Sequence, residues 1–137
     1  MCTTTEAARV LLPMSTRSPA VARQFARMSG CTEHTSQALD EALLLISELV
    51  TNSVLHGRPQ ITLAIECNGT GISVRVRDGA SGLLDRHRSA DDDEGGRGLR
   101  LVELLADSWG VEHVEDEHGC GKAVWFAISA EGCLTVD

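Results

Sequence analysis

Aromatic residues are scarce, at 3% of the chain: two Trp, two Phe and no Tyr. Few flat side chains are then present for stacking the bases of single-stranded nucleic acid, and the core must be built from Leu, Val, Ile and Ala. Positive charge is in deficit as well. Twelve Lys and Arg stand against 20 Asp and Glu, a formal net charge of -8, so the summed field repels a phosphate backbone and direct nucleic-acid binding is not expected. No apolar run approaches the roughly 20 residues that cross a bilayer. The N-terminal MCTTTEAARVLLPMS also lacks the basic stretch and longer apolar run of a secretory signal. The expectation is a cytoplasmic protein without membrane attachment. The cysteines, at 2, 31, 67, 120 and 133, form no CxxC pair, so neither a disulfide framework nor a zinc site is suggested and all five read as reduced, small apolar residues.

What is present is the composition of a packed globular chain, 42% hydrophobic and 23% charged. A length of 137 residues suits one domain with one core, spanning 1–137 with frayed ends at about 1–5 and 131–137. Ala8 to Leu12, stopped by Pro13, reads as a short strand at a sheet edge. Ser18-Pro19 reads as a helix start with Ser18 as cap, the helix ending at Gly30 and carrying Arg23 and Arg27 four residues apart. With Arg17 these form a basic strip, open either to an acidic partner surface or to solvent alone. A second helix should begin after Cys31, capped by Thr32 or Thr35, and stop at Gly57 before Arg58-Pro59. Its core stripe is Leu39, Leu43, Ile46, Val50 and Ser53 or Val54; Leu44 and Leu45 fall on the other side, which should be covered too.

Strands are expected over Gln60 to Glu66 and Ile72 to Arg77, joined by a Gly-rich turn, and in ISVRVR the alternation predicts one buried and one wet face. Asp78 to Gly98 reads as a polar loop with the acidic cluster Asp91-Asp92-Asp93-Glu94. A third helix, Gly98 to about Ala106, leads to strands at about Trp109 to Glu115 and Ala123 to Ser129 across a turn at Asp116 to Lys122. Strand, two helices, hairpin, loop, helix, hairpin is an α+β order and predicts a two-layer sandwich.

Three clusters carry the chemistry. In Glu48-Leu-Val-Thr-Asn52-Ser-Val-Leu-His56, Glu48, Asn52 and His56 recur every four residues on one helix flank. A carboxylate there can accept a proton from an attacking hydroxyl, and an amide oxygen can ligate Mg²⁺. In Val74-Arg-Val-Arg-Asp78-Gly-Ala-Ser-Gly82, a carboxylate stands where a strand runs into small residues, a place to accept a hydrogen bond from an exocyclic amine. In Gly95-Gly96-Arg97-Gly98-Leu99-Arg100-Leu101, with Gly119-Cys120-Gly121-Lys122 further on, glycines at a helix start expose backbone N–H groups to phosphate. Singly, each has an ordinary reading as solvated helix positions, an Asp-Gly turn or a flexible loop.

Together and in this order, ELVTNSVLH, DGASG, GGRGLRLV and GCGKAVWF resemble the N, G1, G2 and G3 boxes of the GHKL ATPases. SELVTNSVLHG and GKAVWF look most like the single-domain anti-sigma factor serine/threonine kinases of partner-switching systems. The resemblance runs from about Arg9 to Ile128 and implies a Bergerat-type two-layer α/β sandwich, its sheet mixed or antiparallel with helices on one face. It implies ATP and Mg²⁺ as cofactors, Glu48 as the general base, Asn52 as the Mg²⁺ ligand and Asp78 as the adenine-binding aspartate. Gly82, Gly96 and Gly98 match the motif glycines that flank a lid from Leu83 to Glu94, with Arg97, Leu99 and Lys122 completing the cofactor-binding set. His56 matches the N-box histidine, without a role from spacing. Ala80 departs from the family's DxGxG by adding a methyl where the base approaches. The implied partners are a sigma factor and a STAS-type anti-anti-sigma antagonist, with a homodimer also implied. The implied activity is phosphorylation of Ser or Thr on that antagonist. The alternative is a non-catalytic module of the same fold that holds a partner with little or no ATP turnover.

Overall fold

The computed structural model describes residues 7–29, 36–68, 71–80, 93–116 and 119–129. The order is β1 (Ala8–Leu12), α1 (Ser18–Ser29), α2 (Ser36–His56), β2 (Ile61–Asn68), β3 (Gly71–Asp78), α3 (Asp93–Leu105), β4 (Ser108–Asp116) and β5 (Gly119–Ser129). The strands form one sheet in the order β1-β2-β3-β5-β4, every neighbouring pair antiparallel.

Register fixes which side chains share a face. Leu63 pairs with Val76 and Val76 with Val124, while Ile65 pairs with Val74 and Val74 with Phe126. With a side-chain period of two, these residues and Ile128 stand on one side, where they join Ala22, Ala26, Leu45, Ile46, Leu49, Val50 and Val102 from the three helices in a single buried cluster. The helices therefore lie on one face of an antiparallel sheet, as the motif order implied. The opposite face carries Arg9, Arg75, Glu112 and Trp125, with Arg75 and Glu112 in an exposed ion pair at 3.0 Å across β5.

α2 is the central helix: α1 and α3 pack against it and it packs on β3. Residues on two sides are buried, Leu43, Ile46 and Val50 on one and Ala38, Ala42, Leu45 and Leu49 on the other. Leu45 is fully buried as expected of a doubly covered helix, but Leu44 is 44% exposed, because one strip of a helix between two neighbours still faces water. Arg23 is half-buried, its Nη1 donating to Ser47 Oγ at 2.9 Å, so it ties α1 to α2, whereas Arg17 and Arg27 are exposed. The Ser18 hydroxyl turns back to donate to the Pro13 carbonyl at 2.5 Å.

Four expectations are corrected. β2 and β3 run to an Asn68–Gly71 pair, well into the expected five-residue turn. Arg77 shares the face of the exposed ion pair between Arg75 and Glu112 yet is only 8% exposed, its Nη2 donating to the Gly119 carbonyl at 3.1 Å. α3 begins at Asp93, five residues before Gly98, so Gly96, Arg97 and Gly98 belong to the helix and are not a loop ahead of it. An Asp-Glu pair suits a first turn better than glycine does, because the helix dipole favours acidic residue types there. β5 starts at Gly119, so Gly-Cys-Gly-Lys is strand and not turn. Most of the expected lid from Leu83 to Glu94 lies outside the described residues.

Replacing Leu45 by Ala should cost about 2–5 kcal/mol, since it leaves a cavity in the core, while Leu44→Ala should stay within about 1 kcal/mol. Urea denaturation of the two variants checks the assignment of the two sides.

Candidate functional site

The last residue of β3, Asp78, pairs with Lys122 of β5, on the helix-bearing face. It is only 2% exposed. An aspartate so deep is costly unless hydrogen-bonded. Here Ser53 Oγ donates to Oδ2 at 2.8 Å, and the Ala80 amide donates to Oδ1 at 2.8 Å. A carboxylate offers about four acceptor positions. Each oxygen thus keeps acceptor capacity for a further donor such as an exocyclic amine.

Three segments hold this group. Ser53 is buried in the last turns of α2, and the Gly57 amide closes that helix on the Ser53 carbonyl at 2.9 Å. A Cβ on Gly57 would stand 2.6 Å from Asp78 Oδ2, so glycine here lets the carboxyl group reach the helix end. α2 stops at Gly57 as expected, and because the φ there is not positive the glycine is needed for space. The chain after α2 then crosses under the DGA turn, with the Gly79 amide donating to the Arg58 carbonyl at 2.7 Å. On the far side, a Cβ on Gly121 would come within 2.2 Å of the Asp78 carbonyl oxygen, which accounts for glycine inside a strand.

The expected residues distribute around this centre. Glu48 and Asn52 are half-buried on α2, one helical turn apart, and Asn52 directly precedes Ser53. His56 is exposed at the end of the same helix. Lys122 is half-buried and directly opposite Asp78 across the β3–β5 ladder, on the same face. Leu99 is half-buried on α3, which packs against α2. Gly96, Arg97 and Gly98 lie in the opening turns of α3, and Gly82 lies outside the described residues. Ala80 is 3% exposed, so its methyl is packed inside the protein while its N–H secures Asp78.

Sequence reasoning missed Ser53 as a site residue, assigning it to the core stripe with Val54. The available signal was a hydroxyl beside Asn52 on a stripe otherwise made of Leu, Ile and Val. It also missed the close packing of Gly57 and Gly121 on Asp78, for which a single sequence holds no signal.

The donor set suits an adenine nucleotide: a buried acceptor with spare capacity, an amide and a carboxylate on the adjoining helix, and a lysine across the strand pair. Ser53→Ala should destabilise the protein by about 1–3 kcal/mol by stripping one donor from a buried carboxyl group. Gly57→Ala should do more harm than Ala at an open helix end, because the carboxyl oxygen must move. Thermal melts of both variants beside the wild type measure this.

A search of curated proteins gave no significant match. The family model described as histidine kinase-like ATPase domain matches residues 13–128, a span that contains every element from α1 through nearly all of β5. The chain belongs to the histidine kinase-like ATPase domain family.

Proposed function

We propose that this chain is an ATP-dependent regulator that sequesters a sigma factor and phosphorylates a serine or threonine on a STAS-type anti-anti-sigma antagonist. The coarser part of that reading, ATP binding, follows from family membership. The observation that carries it further is the buried carboxyl group of Asp78, hydrogen-bonded through both oxygens yet able to accept more. The resemblance of SELVTNSVLHG and GKAVWF to anti-sigma factor kinases supports the choice of partner.

Bound ATP with Mg²⁺ would supply the γ-phosphoryl group, its bond to the β-phosphate breaking so that ADP leaves. Asp78 would accept a hydrogen bond from the exocyclic amine of adenine and thereby select the base. Asn52 offers its amide oxygen to Mg²⁺, a hard cation that prefers oxygen. Glu48, one turn earlier on the same flank, accepts the proton of the partner's hydroxyl as it attacks. Lys122 and Arg97 bring positive charge for the phosphates, and Gly96 and Gly98, having no side chains, leave the opening turns of α3 open to close approach. On the antagonist, the added phosphate raises negative charge and changes which partner it tolerates.

Glu48→Gln keeps size and hydrogen bonding but removes proton acceptance, so phosphate transfer to the antagonist should fall by about 10²- to 10⁴-fold with nucleotide binding near wild type. Asn52→Ala should weaken Mg²⁺-nucleotide binding as well as transfer. Radiolabelled transfer and calorimetry on both variants separate these effects. Equal transfer by wild type and Glu48→Gln would remove Glu48 as the base. A wild type that binds ATP but transfers nothing to its cognate antagonist would leave a binding module.

A further inference from the structure

Beyond Lys122, the free end of the β4–β5 hairpin carries a second cluster. Glu115 pairs directly with Cys120 across the ladder, and His113 pairs with Lys122. Since alternate residues of a strand share a face, His113 and Glu115 on β4 stand on the same side as Cys120 on β5. His113 Nε2 lies 3.9 Å from Glu115 Oε2, Cys120 Sγ lies 3.8 Å from that same oxygen, and one donor atom from each of the three residues falls within 4.8 Å of the others. All three side chains are exposed, and Cys120 is in no disulfide. The positive φ of Gly119, +100°, lies just before Cys120, so β5 begins at once and sets the thiol opposite Glu115.

We propose that His113, Glu115 and Cys120 form a zinc site with three protein ligands and a fourth position open to water. A tetrahedral zinc with bonds of about 2.0–2.3 Å places its donors roughly 3.3–3.6 Å apart. Two of the three edges are already within about half an ångström of that, a gap that exposed side chains close by small rotations. The donor types select the metal. A thiolate and an imidazole beside one carboxylate suit zinc, whereas Mg²⁺ and Ca²⁺ prefer an all-oxygen set. Charge also balances, because one thiolate and one carboxylate neutralise Zn²⁺ while the imidazole binds neutral. Binding releases the thiol proton to solvent.

Absence of a CxxC pair turned the sequence reading away from zinc, since spacing rules follow residues along a helix or knuckle. Here strand pairing closes the set across a hairpin, from positions seven and five residues apart. The site uses none of the residues of the nucleotide reading, although His113 pairs with Lys122 and Cys120 is two residues from it on the same strand face.

The test is titration of Zn²⁺ into the full, phosphine-reduced protein against a chromophoric chelator, together with Co²⁺ absorption spectra. The expected result is one equivalent bound, with a sulfur-to-cobalt charge-transfer band in the near ultraviolet. Cys120→Ala should abolish that band, and Cys120→Ala, His113→Ala and Glu115→Gln should each weaken zinc about tenfold or more, the loss seen when even outer-shell partners are removed. Circular dichroism of each variant verifies that the fold is kept. No binding by the wild type, a cobalt spectrum without the sulfur band, or undiminished affinity in Cys120→Ala, which retains the cysteines at 2, 31, 67 and 133, would each overturn the site.

Discussion

The side chain of Asp78 ends β3 inside the protein, with one carboxyl oxygen on the Ser53 hydroxyl and the other on the Ala80 amide. The surrounding backbone is arranged to permit this. Glycine at 57 lets the end of α2 approach one carboxyl oxygen, and glycine at 121 lets β5 pass close to the Asp78 main chain. A methyl at 57 would push the end of α2 off the carboxyl group, and one at 121 would push β5 away from the Asp78 carbonyl on β3. Polar burial of this sort stabilises little by itself and is tolerated because both oxygens are satisfied. It fixes the carboxyl group in place with acceptor positions to spare.

The two layers place the other candidate residues relative to that acceptor. α2 is held by α1 on one flank, α3 on another and the sheet beneath, so its side chains have little freedom of position. Glu48, Asn52 and Ser53 are therefore fixed with the helix that also closes on Asp78 through Gly57. A shift of α2 would disturb the acceptor and the carboxylate-amide pair together. Lys122 is tied to the same centre by the β3–β5 ladder.

Much of this was legible in the chain. The 3.6-residue recurrence of Leu39, Leu43, Ile46 and Val50 marks α2, and the alternation in β2 and β3 marks the hairpin, because burial of one face leaves a period in the sequence. That Glu48 and Asn52 share one flank of α2 was readable from their four-residue spacing, and that Asp78 ends β3 was readable from where the strand alternation runs into small residues. The start of α3 was misjudged because glycine's weak helix propensity hid a helix that begins on acidic residues. Arg77 looked solvent-facing by alternation, yet it lies over Gly121 towards the Gly119 carbonyl, a contact between residues more than forty positions apart. The role of Ser53 and the grouping of His113 with Cys120 were hidden for a related reason: both depend on which residues oppose one another across elements, and one sequence records no such pairing.

The central claim is that Asp78 reads the exocyclic amine of adenine. Calorimetric titration of ATP and of inosine triphosphate, each with Mg²⁺, into the wild type and Asp78→Asn tests it most directly, because inosine presents a carbonyl where adenine presents the amine. The wild type should favour ATP by about tenfold or more, the equivalent of one buried hydrogen bond to a charged group, and the preference should vanish or reverse in Asp78→Asn. Equal affinity of the wild type for the two nucleotides would contradict it.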